Sequence, residues 1–165
     1  MLENEVHKII AKNIWLLRSS LTYWFDNKQF ATVLGDKLDA RFKFAAAKRP
    51  DLACYDDRPL ADADGAAKKL IVIEFKRPGV TIGADELLQV MQYKKVFATA
   101  LAGFPSSNIE VILLGDKFDP SFDFDAFGEG YSIMSYHQLL VDAHSRYGEL
   151  YNRLTGGNTE GVDGE

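Results

Sequence analysis

Two oppositely charged residues stand two apart at the end of the most apolar run in the chain. Glu74 and Lys76 follow Leu70-Ile71-Val72-Ile73, and upstream Arg49-Pro50-Asp51 opens a second apolar stretch, Leu52-Ala53-Cys54-Tyr55. Two carboxylates and an ammonium delivered by neighbouring strands suit metal-assisted phosphodiester hydrolysis: the carboxylates hold a divalent cation, and the cation polarises the phosphate and activates water. The tripeptide alone proves nothing, because an acidic residue, any residue, then Lys arises about once in a chain of this length at ordinary usage. Asp26-Asn27-Lys28 is such a second match, lying in a polar stretch of turn-type residues with no apolar run leading into it.

Position separates the two. Side chains alternate along a strand, so residues 70, 72, 74 and 76 share one face and 71, 73 and 75 the other. Both faces are apolar until Glu74, which predicts a central strand covered by helices. An uncompensated charge there costs several kcal/mol. One compensation is a buried Glu74–Lys76 ion pair. The other is a metal site with Asp51 as second donor, where hard oxygens favour Mg²⁺ or Mn²⁺ over zinc.

From Ala84 to Ala102 the chain reads as a helix in which Gln89 and Tyr93, four apart, share a stripe with Val96 and Ala100. They are either polar residues satisfied within the core or part of the site. Taken in order, Arg49-Pro50-Asp51, Glu74-Phe75-Lys76 and Gln89-Val90-Met91-Gln92-Tyr93 resemble the PD-(D/E)xK nuclease superfamily, including the Q-x-x-x-Y helix of some branches. The opening Leu2-Glu3-Asn4-Glu5-Val6-His7-Lys8-Ile9-Ile10 and the phrase Ile73-Glu74-Phe75-Lys76-Arg77-Pro78 are similar to nuclease domains of antiphage proteins and of the ends of histidine-kinase-type ATPases.

The resemblance implies an α/β fold with a restriction-endonuclease-like mixed sheet, α-β-β-β-α-β, flanked by helices. It implies Mg²⁺-dependent hydrolysis of nucleic acid, with DNA the expected substrate, Mn²⁺ a substitute metal, and defence or DNA processing the setting. Asp51, Glu74 and Lys76 become catalytic, and Asp51, Glu74 and the Phe75 carbonyl become metal donors. Gln89 and Tyr93 become neighbours of the substrate strand. A preceding helix often lends such enzymes another acid. Glu3 shares a side with Val6, Ile10 and Ile14, which makes it the candidate over Glu5, although an N-terminal acid is equally favoured by the helix dipole. The alternative is a catalytically silent module of the same fold that binds nucleic acid or a partner protein within a larger assembly, such as a fused or associated ATPase. A homodimer is a further expected form.

The elements that must position these residues are read as follows: a helix near 3–18; a mixed segment with a short helix around Ala31–Leu38 and a strand near Arg41–Phe44; strands at 51–56 and 69–76 joined by a long polar loop; the Gln/Tyr helix; a strand at 109–114; an acidic loop; a strand near Tyr131–Met134; and a helix from His137 to Leu154. One domain, 1–155, and a disordered tail, 156–165, are expected. With 165 residues, 47% of them hydrophobic, the chain can bury a real core. Cys54 is the lone cysteine and no apolar run spans a bilayer, so a cytoplasmic protein without a membrane partner is expected.

The net charge of −5 argues against a polyanionic partner until its distribution is seen. Residues 1–100 carry 16 Lys/Arg against 13 Asp/Glu, while residues 101–165 carry 3 against 11. The surplus brackets the motifs through Lys48, Arg49, Lys68, Lys69, Lys76, Arg77, Lys94 and Lys95, of which Lys48, Arg49 and Arg77 are the expected phosphate contacts. Other chemistries find no match. Asp119, Asp123, Asp125 and Glu129 resemble a calcium loop, yet an EF-hand starting at Asp123 needs Glu where Met134 stands. His137 and His144 have no third metal ligand, and Walker, dinucleotide and H-E-x-x-H patterns are absent from the sequence.

Overall fold

The computed structural model describes residues 3–18, 20–56, 69–101, 105–123 and 128–156. Its centre is a five-stranded mixed sheet with helices on both faces. The strands are β1 (Leu21–Asp26), β2 (Leu52–Asp56), β3 (Lys69–Phe75), β5 (Ile109–Gly115) and β7 (Tyr131–Ser135), in the spatial order β1-β2-β3-β5-β7. A separate two-stranded ribbon pairs β4 (Thr81–Ile82) with β6 (Lys117–Phe118). The helices are α1 (Glu3–Lys12), α2 (Phe30–Leu34), α3 (Ala84–Ala100) and α4 (Tyr136–Gly156). The pairs β1–β2 and β2–β3 are antiparallel, whereas β3–β5 and β5–β7 are parallel.

The alternation expected for the Leu70 run holds. Leu70 and Val72 join Ala53, Val111 and Leu113 in a core with Phe30, Val90, Tyr93 and Phe97 of α2 and α3. Ile71, Ile73 and Phe75 join Leu52, Cys54, Ile112 and Leu114 in a second core with Ile10, Leu17 and Leu139 on the side of α1 and α4. A strand apolar on both faces is thus buried on both faces, as a central strand requires.

Several elements differ from expectation, among them the β4–β6 ribbon. The first helix stops at Lys12, and a short 3-10 turn, Ile14–Leu16, follows. The segment Arg41–Phe44 is 3-10 helix rather than strand. Its alternating Phe42 and Phe44 suggested a strand, but Asp39 accepts the Arg41 N–H at 2.8 Å and starts a helical turn. Phe42 and Ala45, three apart, are then the buried pair, and Phe44 is 62% exposed. The first strand of the sheet is instead Leu21–Asp26. A register irregularity between Tyr23 and Phe25 puts Trp24 and Phe25 against the same core, which erases the period-two signal. Gly156 belongs to α4 rather than to the tail, and the expected loop 57–67 and the rest of the tail lie outside the described residues.

At the end of the sheet where β3 and β5 begin, Glu110 is buried and accepts both Arg18 nitrogens, the Ser132 hydroxyl at 3.1 Å and the Lys69 ammonium at 2.9 Å. Arg18 also reaches Asp56 at 3.8 Å. Burial alone would raise the Glu110 carboxyl, but the hydrogen bonds from Arg18 and Lys69 outweigh it and hold the group below the ordinary carboxylate range. This cluster ties β2, β3, β5 and β7 together at the end opposite Glu74.

Candidate functional site

At the C-terminal end of β3 the sheet runs out of apolar residues and the expected site residues meet. Glu74 is buried on the α3 face, and Lys76, two residues on, returns to that face. The Lys76 Nζ stands 3.1 Å from Glu74 Oε1. Gln89, from the second turn of α3, closes a triangle: its Oε1 accepts from Lys76 Nζ at 2.8 Å and its Nε2 donates to Glu74 Oε1 at 2.7 Å. The same Nε2 donates to the Tyr93 hydroxyl at 2.6 Å, and that hydroxyl donates to the Arg49 carbonyl at 3.3 Å. Both amide protons and the carbonyl of Gln89 are therefore used, which fixes its orientation without ambiguity.

Asp51 arrives by pairing. Leu52 sits opposite Ile73 in the β2–β3 ladder, so Asp51 falls one step beyond it, beside Glu74. Since Leu52 faces the α1 side, Asp51 alternates to the α3 side, with Glu74. Its Oδ2 accepts the Phe75 N–H at 2.7 Å, continuing the ladder through a side chain. An extended residue turns its C=O to the same edge as its N–H, which aims the Phe75 carbonyl at Asp51 as well. Asp51 is also anchored through its backbone, whose carbonyl accepts from Asn27 N–H at 3.0 Å.

Tyr93 is almost wholly buried, and its hydroxyl is raised well above the usual phenol range, first by burial and then by the negative charges of Glu74 and Asp51. It therefore stays protonated, and a neutral hydroxyl can both accept from Gln89 and donate to Arg49. Helix α3 is aimed by its first turn, where Glu86 Oε2 accepts the Gly83 N–H at 3.0 Å. Gly115, at the end of β5, lets the β4–β6 ribbon lie beside the site: a Cβ there would come 2.4 Å from Ile82 Cδ1.

Of the expected site residues, Asp51, Glu74, Lys76, Gln89 and Tyr93 thus form one constellation. Lys48, Arg49 and Arg77 are exposed on the segments that flank it. Phe30 N–H donates to the Lys48 carbonyl at 3.0 Å, which pins the approach to Asp51 against α2. Glu3 opens α1, but its side chain lies outside the described residues.

Two bracketing lysines prove unsuited to a phosphate surface. Lys94 is buried, its Nζ donating to the Glu129 carbonyl at 3.2 Å and lying 4.5 Å from the Tyr131 ring centre. Its ammonium is held below the usual lysine range by burial first and by Lys69 second. Lys69 itself is committed to Glu110.

Sequence reasoning missed what lies behind the strand end. Tyr136 opens α4, and its hydroxyl donates to the Lys76 carbonyl at 2.7 Å. The His7 ring packs on Phe75 with centroids 5.6 Å apart, and its Nε2 stands 3.6 Å from the Asp26 carboxylate. Asp26, part of the Asp26-Asn27-Lys28 match with no apolar run expected before it, ends a real strand that contains Leu21, Trp24 and Phe25, and pairs with Leu52. Only the spacing of His7 one turn after Glu3 could have drawn attention to it.

Among the described residues, no three of His, Cys, Asp and Glu gather closely enough to share an ion. Two carboxylates and a backbone carbonyl are nonetheless a sufficient protein contribution for Mg²⁺, which is commonly bound through one or two carboxylates and keeps several waters. Among the described residues, no helix is long and apolar enough to cross a membrane. Compared with protein-family models, with curated proteins and with solved structures, the chain matches none.

Proposed function

We propose that this chain is a divalent-metal-dependent nuclease of the PD-(D/E)xK type, with a restriction-endonuclease-like core, that hydrolyses phosphodiesters in nucleic acid. DNA cleavage in defence or DNA processing, in the cytoplasm, is the form this reading takes. The observation that carries it is the convergence of Asp51, Glu74 and Lys76, from two strands, with Gln89 and Tyr93 of α3 at one sheet end. The order of α1, β1, β2, β3, α3 and β5, with β3 and β5 parallel, supports the fold assignment.

In this reading Asp51, Glu74 and the Phe75 carbonyl hold one or two Mg²⁺ ions, with Mn²⁺ as a substitute. When bound, the metal supplies polarisation of the scissile phosphate and a lowered pKa for bound water. The protein does the rest. Lys76 places a positive charge where negative charge develops on the phosphoryl oxygens, or orients the attacking water. Gln89 holds Lys76 and Glu74 in a fixed relation, so little reorganisation is needed during reaction. Neutral Tyr93 fixes Gln89 in turn. Lys48, Arg49 and Arg77 grip phosphates on either side.

A second reading is favoured by the same triangle: Lys76 and Gln89 bind each other and Glu74 Oε1, a pairing that a silent module binding nucleic acid or a partner could also keep. Supercoiled plasmid, linear duplex and single strands, each incubated with purified protein and Mg²⁺, Mn²⁺ or EDTA, separate the two. Metal-dependent cleavage that vanishes with EDTA and with Lys76→Ala supports the enzyme. Binding without cleavage under every condition supports the module.

A further inference from the structure

The reactive residues all lie on the α3 face, yet part of what holds the Phe75–Lys76 backbone that presents them comes from the other side of the sheet. A strand end is the least restrained part of a sheet, because the ladder that fixes it stops. Four contacts replace the ladder here. Asp51 takes the Phe75 N–H at 2.7 Å, and the Leu114 carbonyl of β5 takes the Lys76 N–H at 2.8 Å. On the α1 side the His7 ring backs Phe75 at 5.6 Å, and the Tyr136 hydroxyl donates to the Lys76 carbonyl at 2.7 Å.

The contact from Tyr136 differs from the rest. It is a single side-chain hydroxyl, from a residue 60 positions away, acting on the peptide of the proposed catalytic lysine. Beyond Lys76 the chain leaves the sheet at once through the exposed Arg77, Pro78 and Gly79. Gly79 has φ of 96°, in a turn that the Val80 N–H closes on the Arg77 carbonyl at 3.2 Å. The Leu114 carbonyl holds the Lys76 N–H and the Tyr136 hydroxyl holds the Lys76 C=O, so the residue is fixed on both sides of its Cα; without the hydroxyl, rotation about the Lys76 N–Cα bond, which turns the C=O and Cβ together, loses its side-chain restraint.

We propose that Tyr136 is a positioning residue for Lys76: its hydroxyl fixes the Lys76 peptide and thereby the direction in which the ammonium enters the site. The inference rests on the nuclease reading above. It joins the start of α4 to the chemistry at the end of β3.

Tyr136→Phe removes one oxygen and keeps the ring, which packs in the α1–α4 core. Ser135→Ala is the matched control, because the Ser135 hydroxyl accepts the Gln138 N–H at 2.9 Å and caps the same helix end without touching Lys76. Single-turnover cleavage is measured with Mg²⁺ on a fixed oligonucleotide, together with melting temperature, substrate affinity and metal half-saturation. Tyr136→Phe is expected to slow the chemical step about ten-fold or more, since misplacement by about 1 Å is worth up to a hundred-fold. Affinity for substrate and metal should stay within about two-fold, since neither the metal donors nor the phosphate contacts change.

Ser135→Ala, with a melt lowered as much or more, should cleave at close to the wild-type rate. Wild-type speed in Tyr136→Phe overturns the inference and leaves the nuclease reading intact. An equal slowing in Ser135→Ala also overturns it, because general loosening of the helix end then suffices. If the wild type itself cleaves nothing with any metal, the nuclease reading fails and the inference with it.

Discussion

Replacing Lys76 by alanine distinguishes chemistry from architecture, and its effect can be worked out from the contacts. The substitution removes a 3.1 Å ion pair with Glu74 and a 2.8 Å hydrogen bond to Gln89. Glu74, 7% exposed at its side chain, keeps the 2.7 Å donation from Gln89 Nε2. Breaking a fully buried pair costs about 3–5 kcal/mol, mostly from stranding the surviving charge. An exposed pair costs about 0–1 kcal/mol.

Lys76 is 15% exposed and its loss opens a path for water to Glu74, so the structural penalty lies between, at about 2 kcal/mol. For a domain of this size that lowers the melting temperature by about 4–8 °C while leaving one cooperative transition. Cleavage should fall about 10²–10³-fold, the usual loss when a preorganised group facing developing charge is removed. Metal should stabilise the variant at least as much as the wild type, because the ammonium no longer competes for Glu74 Oε1. The assay is plasmid cleavage beside a thermal melt with and without Mg²⁺. Wild-type cleavage by Lys76→Ala would refute the catalytic role. Loss of any cooperative melt would refute the placement of Lys76 at a strand end and favour a structural pair.

Mg²⁺ or Mn²⁺ should raise the wild-type melting temperature, by the equivalent of about 2.7 kcal/mol at a hundred times the dissociation constant, and Asp51→Asn should shrink the shift; no shift at millimolar metal counts against the donor set. Glu110→Gln should cost on the order of 3 kcal/mol at neutral pH, read by denaturant melts, because it removes the buried charge that Arg18 and Lys69 share and leaves Arg18 only the longer contact to Asp56. Since the folded Glu110 carboxyl is lowered, its stabilisation is complete above the unfolded value near about 4.3 and disappears as pH falls through the folded one. The gap between wild type and Glu110→Gln should therefore close on acidification and stay open toward neutral pH.

Lys48→Glu with Arg77→Glu should weaken nucleic-acid binding in calcium more than Lys12→Glu with Lys37→Glu, a matched pair of exposed lysines outside those that bracket the motifs. Each lost phosphate contact should flatten the salt dependence by about 0.9 in log–log slope for duplex DNA or about 0.7 for single strands. An unchanged slope would put the polyanion on another face.

Local rules reached far into this protein. Alternation around Leu70–Ile73 places Glu74 and Lys76 on one face, and helical spacing places Gln89 one turn from Tyr93; both follow from covalent geometry and are settled within a few residues. Those features were legible in the chain itself. Tertiary structure decided the rest. That Asp51 stands beside Glu74 depends on the antiparallel register of β2 on β3, which pairs Leu52 with Ile73 across 21 residues of sequence. The first strand was hidden because an irregular register at Trp24 breaks the period on which strand recognition relies, while Arg41–Phe44 carried that period and folded as 3-10 helix once Asp39 capped it. Lys94 and Lys95 are neighbours of equal charge, yet one is buried against Tyr131 and the other exposed, a difference set by which side of α3 meets β7. Tyr136 and His7 reach Lys76 and Phe75 from opposite ends of the chain, because a sheet closed by helices on both faces gathers residues by position in space, for which spacing along the sequence carries no signal.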